Sequence, residues 1–499
     1  MTETKNMGSD RLKDNVSILS YLLVIAMISF PILGYLSVLP IRDFDEARNA
    51  LNALEMVKNG DLIVTHFEGK PDMWNTKPPL MIWIQVVCIR IFGPGEFAVR
   101  LPSAIAALLT CIFILFLCAR YFKNTVFGMI WVLVLVTSNG FVNFHSSRTG
   151  DYDALLTLFI CVYSFAWFVY LETSKGRYLT YFFLALTLSI LTKGIAGLFF
   201  IPGLFLYTLL KKKILAVMLN RKIYAGLFIS IGTVLAYYFL RENANPGYIK
   251  AVWENELGGR YMTVIENNQG GFWFYFNNLI SSRLEFWYLL VPLGIVAGVL
   301  SKDEKMKRVA FFATVISATF ILIISSAKTK CYWYDLPLFP FLAMLVSIPL
   351  VIILTLKPKN VFEKYKTVFH ILGIAVVVLL FYEPARKTLG RTINPKEQTW
   401  DIEKYEVGNL LQNAVKGKAD LGNYFLLHEG YSGQNLFYIK LLNEKGVRIA
   451  LGEIDSLSIG DSVLVHQKLV LGRLEKKFEM QKLFTRNNVE GYQIEGLKE

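Results

Sequence analysis

Apolar runs near the roughly 17–25 residues needed to cross a hydrocarbon core of about 30 Å recur along the first three quarters of the chain. Eleven candidate spans follow: Ser17–Pro40, Leu101–Cys118, Val126–Phe144, Ala154–Leu171, Tyr178–Leu191, Ile195–Leu210, Tyr224–Leu240, Leu284–Leu300, Val309–Ser325, Leu336–Leu356 and Thr367–Tyr382. Pro78–Phe92 is a further apolar run, shorter and preceded by Lys77. From about Glu383 the pattern changes. Strand-length runs (Tyr424–Leu427, Val447–Leu451, Ser462–Val465) alternate with helix-like stretches (Asn435–Asn443, Leu469–Phe478), as in a small α/β domain.

Charge placement orients the spans, because short cytoplasmic loops carry the excess of Lys and Arg. The basic loops are Arg120/Lys123, Lys175/Arg177, Lys211–Lys213 with Arg221/Lys222, Lys302–Arg308 and Lys357–Lys366. They alternate consistently if Pro78–Phe92 is interfacial or re-entrant. The N-terminus is then cytoplasmic and the C-terminal region periplasmic or external. The expected organisation is a cytoplasmic tail (1–16), a multi-pass domain (17–382) and an external α/β domain (383–499). The fold class is an α-helical polytopic membrane protein of about 11–13 transmembrane helices with external juxtamembrane helices, integral to the inner or plasma membrane.

Composition agrees with that reading. Only 18% of residues are charged and the mean hydropathy is +0.42, whereas soluble domains carry about 25% charged residues. The formal charge of +13 sits largely in the orienting loops, which disfavours nucleic acid as a partner. Cys88, Cys111, Cys118, Cys161 and Cys331 show no close metal-type spacing and no disulfide framework.

With this topology the unusual polar residues share the external face: Ile41–Lys77, His145–Asp153, the turn at Lys193, Arg241–Arg283 and Lys328–Asp335. Charges that converge at span ends mark a site, since burying them in lipid is costly. Asp45 and Glu46 open an amphipathic stretch after the first span, and a carboxylate there can act as general base; an interfacial helix with charges facing water is the bland alternative. Asp153 begins a span, where it faces a cavity or caps a helix. Lys77 and Lys193 are cations at headgroup depth, suited to a phosphate, although a lysine at a span end can also merely snorkel. Lys328 and Lys330 stand beside Tyr332, Trp333 and Tyr334, which suit a phosphate carrying a sugar or prenyl tail as well as they suit an aromatic belt. His145 has no sequence neighbour at ligand spacing and is not assigned to a metal.

These residues resemble the polytopic lipid-dependent glycosyltransferases (GT-C fold), which include protein O-mannosyltransferases and the aminoarabinose transferase of lipid A. The resemblance runs over about residues 17–380. It rests on the order of Asp45-Glu46-Ala47-Arg48, Lys77-Pro78, Val99-Arg100, Asp153 before Leu155, Thr192-Lys193-Gly194, Phe272-Trp273 and Ala327-Lys328-Thr329-Lys330. It implies a polyprenyl-phosphate-sugar donor, an external active site and inversion at the anomeric carbon. Asp45 matches the family's catalytic aspartate and Asp153 its second essential carboxylate; Lys77, Arg260, Lys328 and Lys330 match positions that hold the carrier phosphate. The acceptor is a lipid such as lipid A, another glycan or a protein, with membrane lipids as surroundings.

Two departures stand out. Aminoarabinose transferases have a glutamate before the lysine, where this chain has Thr76, and a histidine in the loop corresponding to Arg241–Arg283, which here has none. Both are associated with a metal in the relative, so the departures disfavour a divalent metal and aminoarabinose as the sugar; no other cofactor is implied. A transporter or flippase would instead place polar residues near the midplane and show repeat symmetry, and no internal repeat is visible. A headgroup transferase of the same architecture is the other alternative.

Overall fold

The computed structural model describes residues 18–264, 268–355, 366–399 and 401–498. The N-terminal tail and all of the basic loop Lys357–Lys366 except the Lys366 backbone lie outside the described residues, as does the side chain of Arg260.

Among the described residues, seven helices are long and apolar enough to cross a membrane: Glu96–Phe122, Asp153–Thr173, Arg177–Leu198, Arg221–Ala244, Glu304–Ser326, Tyr332–Thr355 and Thr367–Ile393. The other four expected spans form shorter apolar helices, Ile18–Leu33, Thr125–Val136, Ile201–Leu210 and Leu290–Val299. Thr125–Val136 stops well before Phe144, and at its end the hydroxyls of Thr137 and Ser138 donate back to the carbonyls of Leu133 and Val134. Gly140 follows, where an added Cβ would lie 2.0 Å from the Phe339 ring, so glycine alone permits that approach. The Pro78–Phe92 run forms a helix of 13 residues, Leu80–Phe92. At 1.5 Å per residue it spans about 20 Å, too short to cross alone. It packs between the helices Asp45–Asn59 and Glu96–Leu117.

The last long helix, Lys366–Ile393, runs past Glu383, so the compositional change falls inside it. Beyond it lies the α/β domain. A hairpin of β1 (His66–Phe67) and β2 (Lys70–Pro71) precedes it in the chain. The domain's sheet contains β3 (Tyr424–Leu427), β4 (Ile449–Gly452), β5 (Ser462–Val465), β6 (Phe478–Arg486) and β7 (Val489–Leu497), in the order β4-β3-β5-β7-β6. β3 is parallel to both β4 and β5, while β7 pairs antiparallel with β5 and β6. The first three match the runs read from sequence. β6 escaped that reading because its side chains are mostly exposed and polar.

This domain is fixed to the segment that follows the first apolar helix. Helix Gly433–Glu444 lies on helix Asp45–Asn59, and Phe437, Tyr438 and Leu441 share a buried cluster with Ala47, Leu51 and Leu54. Tyr438 Oη accepts from Ile41 N–H at 2.9 Å and donates to Glu96 at 2.7 Å. Lys440 meets Glu55 at 2.6 Å.

Candidate active site

Helix Asp45–Asn59 begins abruptly after Phe44, a non-glycine residue at φ 63° and ψ −109°. Its neighbour Glu46 holds that start in place. Fully buried, it accepts from the backbone N–H groups of Arg42 (2.6 Å) and Gly150 (2.7 Å) and from the Arg100 guanidinium (2.7 and 2.9 Å). Arg100 also donates to the carbonyls of Leu36, Leu39 and Pro40. Burial works against the Glu46 charge, but Arg100 and the two N–H groups outweigh it and hold the carboxyl below the usual range. Glu46, a candidate general base on sequence, therefore has its acceptor capacity filled and ties the start of helix Asp45–Asn59 to Arg100 and to Gly150.

Asp45 is half-buried and faces a different set. Ligand-capable atoms of Asp45, His145 and Asp151 lie within 4.8 Å of one another. His145 stacks on Trp333 with ring centroids 3.8 Å apart, and Tyr332 meets it edge-on at 6.2 Å. Burial disfavours charge on the imidazole. The carboxylates of Asp151, Asp45 and Asp153 overcome this, so His145 titrates above its ordinary value. Two carboxylates and an imidazole are an oxygen and nitrogen donor set that can hold a divalent metal. Asp151 Oδ1, buried with no hydrogen-bond partner among the described residues, fits that use. The absence of a sequence neighbour for His145 is thus corrected by the fold, which supplies Asp45 from a hundred residues upstream.

Beside this set a narrow cavity of about 90 Å³ joins several expected residues. Asp153 and Lys193 form a buried ion pair at 2.6 Å, and Lys193 lies 5.0 Å from the centre of the Tyr334 ring. Lys77 approaches Glu256 at 3.5 Å. The remaining wall is apolar, with Leu156, Ile195, Phe199, Phe320, Ile323 and Ile324. Thr76, at one of the two departures noted above, donates to Glu256 at 3.2 Å, so the Ile41–Lys77 segment and the Arg241–Arg283 loop are joined directly.

Other expected residues lie elsewhere. Lys330 donates to the carbonyls of Ile324, Ser325 and Ala327, closing the C-terminal end of helix Glu304–Ser326, and burial lowers its pKa. It serves that helix end rather than the cavity. Lys328 is exposed, and its backbone N–H bonds Tyr261. Tyr332 is 45% exposed against His145. Glu256, Tyr261 and Tyr275 line the cavity without having been singled out from sequence. Asp151 carried a signal, since Asp151-Tyr152-Asp153 repeats the spacing of Asp43-Phe44-Asp45.

The whole architecture is shared with a solved structure. ArnT from Cupriavidus metallidurans, crystallised with undecaprenyl phosphate, superposes with a TM-score of 0.68 and 16% identity over 95% of this chain and 98% of its own. This is the GT-C fold. The Archaeoglobus fulgidus oligosaccharyltransferase shares it more distantly, with a TM-score of 0.52 and 12% identity over 95% of this chain and 74% of its own. Residues 76–238 of this GT-C chain match the dolichyl-phosphate-mannose-protein mannosyltransferase family. It is 28% identical to the undecaprenyl phosphate-alpha-4-amino-4-deoxy-L-arabinose arabinosyl transferase 2 of Proteus mirabilis, over 61% of this chain and 54% of that relative. The match spans less than two thirds of the length of the first such relatives. The GT-C chain is thus a polytopic membrane protein related to the aminoarabinose transferases and the mannosyltransferases.

Proposed function

We propose that this protein transfers a sugar from a polyprenyl-phosphate-linked donor to a lipid, glycan or protein acceptor on the external face of the membrane. The observation that carries the proposal is the single cavity that sets two lysines, Lys77 and Lys193, against a wall of apolar side chains. That combination suits a phosphate with a prenyl tail. Electrostatic attraction strengthens where water is excluded, so both cations stabilise a departing prenyl phosphate more than they would in solvent.

In this reading Asp45 takes the proton of the acceptor hydroxyl, whose oxygen attacks the anomeric carbon from the face opposite the phosphate. The bond between that carbon and the phosphate oxygen breaks, the carrier leaves as prenyl phosphate, and the configuration inverts. Asp153 positions Lys193 for the leaving oxygen. His145 sits between the Asp45 and Asp151 carboxylates and orients them; were a divalent ion bound, Asp45, His145 and Asp151 would hold it and it would supply a fixed positive charge there.

The test reconstitutes purified protein in liposomes and supplies either a polyprenyl-phosphate sugar or the matching nucleotide sugar. Transfer is expected only from the lipid-linked donor. Transfer from the nucleotide sugar without carrier lipid would overturn the proposal.

A further inference from the structure

A second cavity, of about 420 Å³, opens where the α/β domain meets the first external segment. Its volume falls within the roughly 300–1,000 Å³ of small-molecule sites. It lies beyond the carboxyl ends of β3 and β5. The sheet runs from β3 to β4 on one side and places β5 on the other, so the strand order reverses there. The crevice at such a reversal is where open α/β sheets bind ligands. The residues that directly follow the two strands are His428 and His466, with Nδ1 of the first 3.2 Å from Nε2 of the second. The facing wall comes from the first external segment: Asp43, and Phe44 stacked on Tyr431 at 5.0 Å.

Three polar atoms around this cavity, Asp43 Oδ1, Asn435 Oδ1 and His466 Nδ1, are buried without a hydrogen-bond partner among the described residues. Asn435 is only 4% exposed. Buried polar atoms are nearly always paired, so three unpaired ones around one cavity point to a missing partner. Burial, with the neighbouring His428 adding to it, lowers His466 to about 4, so its ring is neutral and Nδ1 can take either hydrogen-bonding role. The two oxygens only accept. Lys404 is already opposed by Asp43 at 3.4 Å, which leaves the cavity poorly suited to an anion. A neutral ligand with several hydroxyls carries the hydrogen-bonding groups these atoms lack, reached by turning the side chains toward the cavity, and the Phe44–Tyr431 rings offer it an apolar face.

We propose that this cavity binds a sugar unit of the acceptor, as a subsite beside the reacting centre. The proposal rests on the transfer reading above. Phe44 links the two places, because Asp43 lines this cavity while Asp45 belongs to the His145 set. A side chain held at positive φ costs free energy and persists where its surroundings fix it, here between two docked elements.

Two experiments on the full chain test it. In nanodiscs, with saturating polyprenyl-phosphate sugar and the glycolipid fraction of the host membranes as acceptor, Asn435→Leu should raise the acceptor KM at least tenfold. Donor KM and kcat should not change, and the melting temperature should hold or rise, since an unpaired buried carbonyl is removed. An unchanged acceptor KM, or a shift in donor KM instead, overturns the subsite. Independently, a photo-crosslinking residue at Gln467, on the cavity wall, should capture a sugar-bearing adduct in native membranes that is lost on adding Asn435→Leu. Sugar on a lipid or sugar on a peptide identifies the acceptor class. Adducts free of sugar, or none, overturn the subsite even where transfer is normal; should Asn435→Leu unfold the protein, this labelling in the otherwise unaltered chain decides. Failure of transfer from any lipid-linked donor would instead remove the transfer reading.

Discussion

Lys193 Nζ lies 2.6 Å from Asp153 Oδ1, so the last residue of one helix is bonded to the first of the helix before it. Both side chains are nearly excluded from solvent, at 10% and 5% exposure. Removing one partner leaves an uncompensated buried charge, which costs about 3–5 kcal/mol, whereas replacing both is often neutral. Lys193→Met should therefore lower both stability and transfer. The double variant Asp153→Asn/Lys193→Met should recover the melting temperature without recovering turnover. Recovery of both would reduce the pair to a structural role.

The adjacent carboxylates Asp45 and Glu46 should separate cleanly. Asp45→Asn should cut kcat about 10²–10⁴-fold, the usual loss of general-base assistance, with little change in thermal unfolding in detergent. Glu46→Gln should instead destabilise by several kcal/mol, because Arg100 is left buried without its counter-ion (roughly 3–5 kcal/mol). Near-normal turnover of Asp45→Asn would end its assignment as base.

Lys77 and Lys330 should likewise differ in kind. Lys77→Met should raise the donor KM about 10–100-fold, from the loss of a charged interaction worth about 1.5–3 kcal/mol. Lys330→Met should leave the donor KM near its starting value. Its cost should appear in unfolding, at about 1–2 kcal/mol for an uncapped helix end.

Acid should loosen the α/β domain through His466. Burial, and then the proximity of His428, lowers its folded pKa from 6.5 to about 4. Below pH 6.5 the unfolded chain binds the proton more readily than the folded one, so stability falls as pH drops from 6.5 towards 4 and levels off beneath. Each unit of that shift is worth about 1.4 kcal/mol, giving a loss of roughly 3–4 kcal/mol. Hydrogen exchange at the amides of β3 and β5 should accelerate over that window, and His466→Gln should flatten the response. Equal acceleration in the variant would assign the acid sensitivity to other groups.

The sequence by itself determined which segments are apolar enough for the membrane and where the sheet domain lies. A membrane helix satisfies its own backbone hydrogen bonds, so a sufficiently long apolar run is a local property. The same holds for β3 and β5, whose apolar runs are bounded by polar turns. It also singled out Asp45, Asp153, Lys77, Lys193 and Tyr334, because charged and aromatic residues at the ends of apolar runs are few enough to notice. Only the tertiary structure decided what each of them faces. Glu46 and Lys330 look in sequence like their neighbours Asp45 and Lys328, yet one is consumed by Arg100 and the other by a helix end. His145 gained Asp45, and Lys77 gained Glu256, from distant segments. A charge at a span end must be neutralised by something, but whether a ligand, a carbonyl or a counter-ion does so depends on which helices pack together, and side-chain packing over the whole bundle sets that.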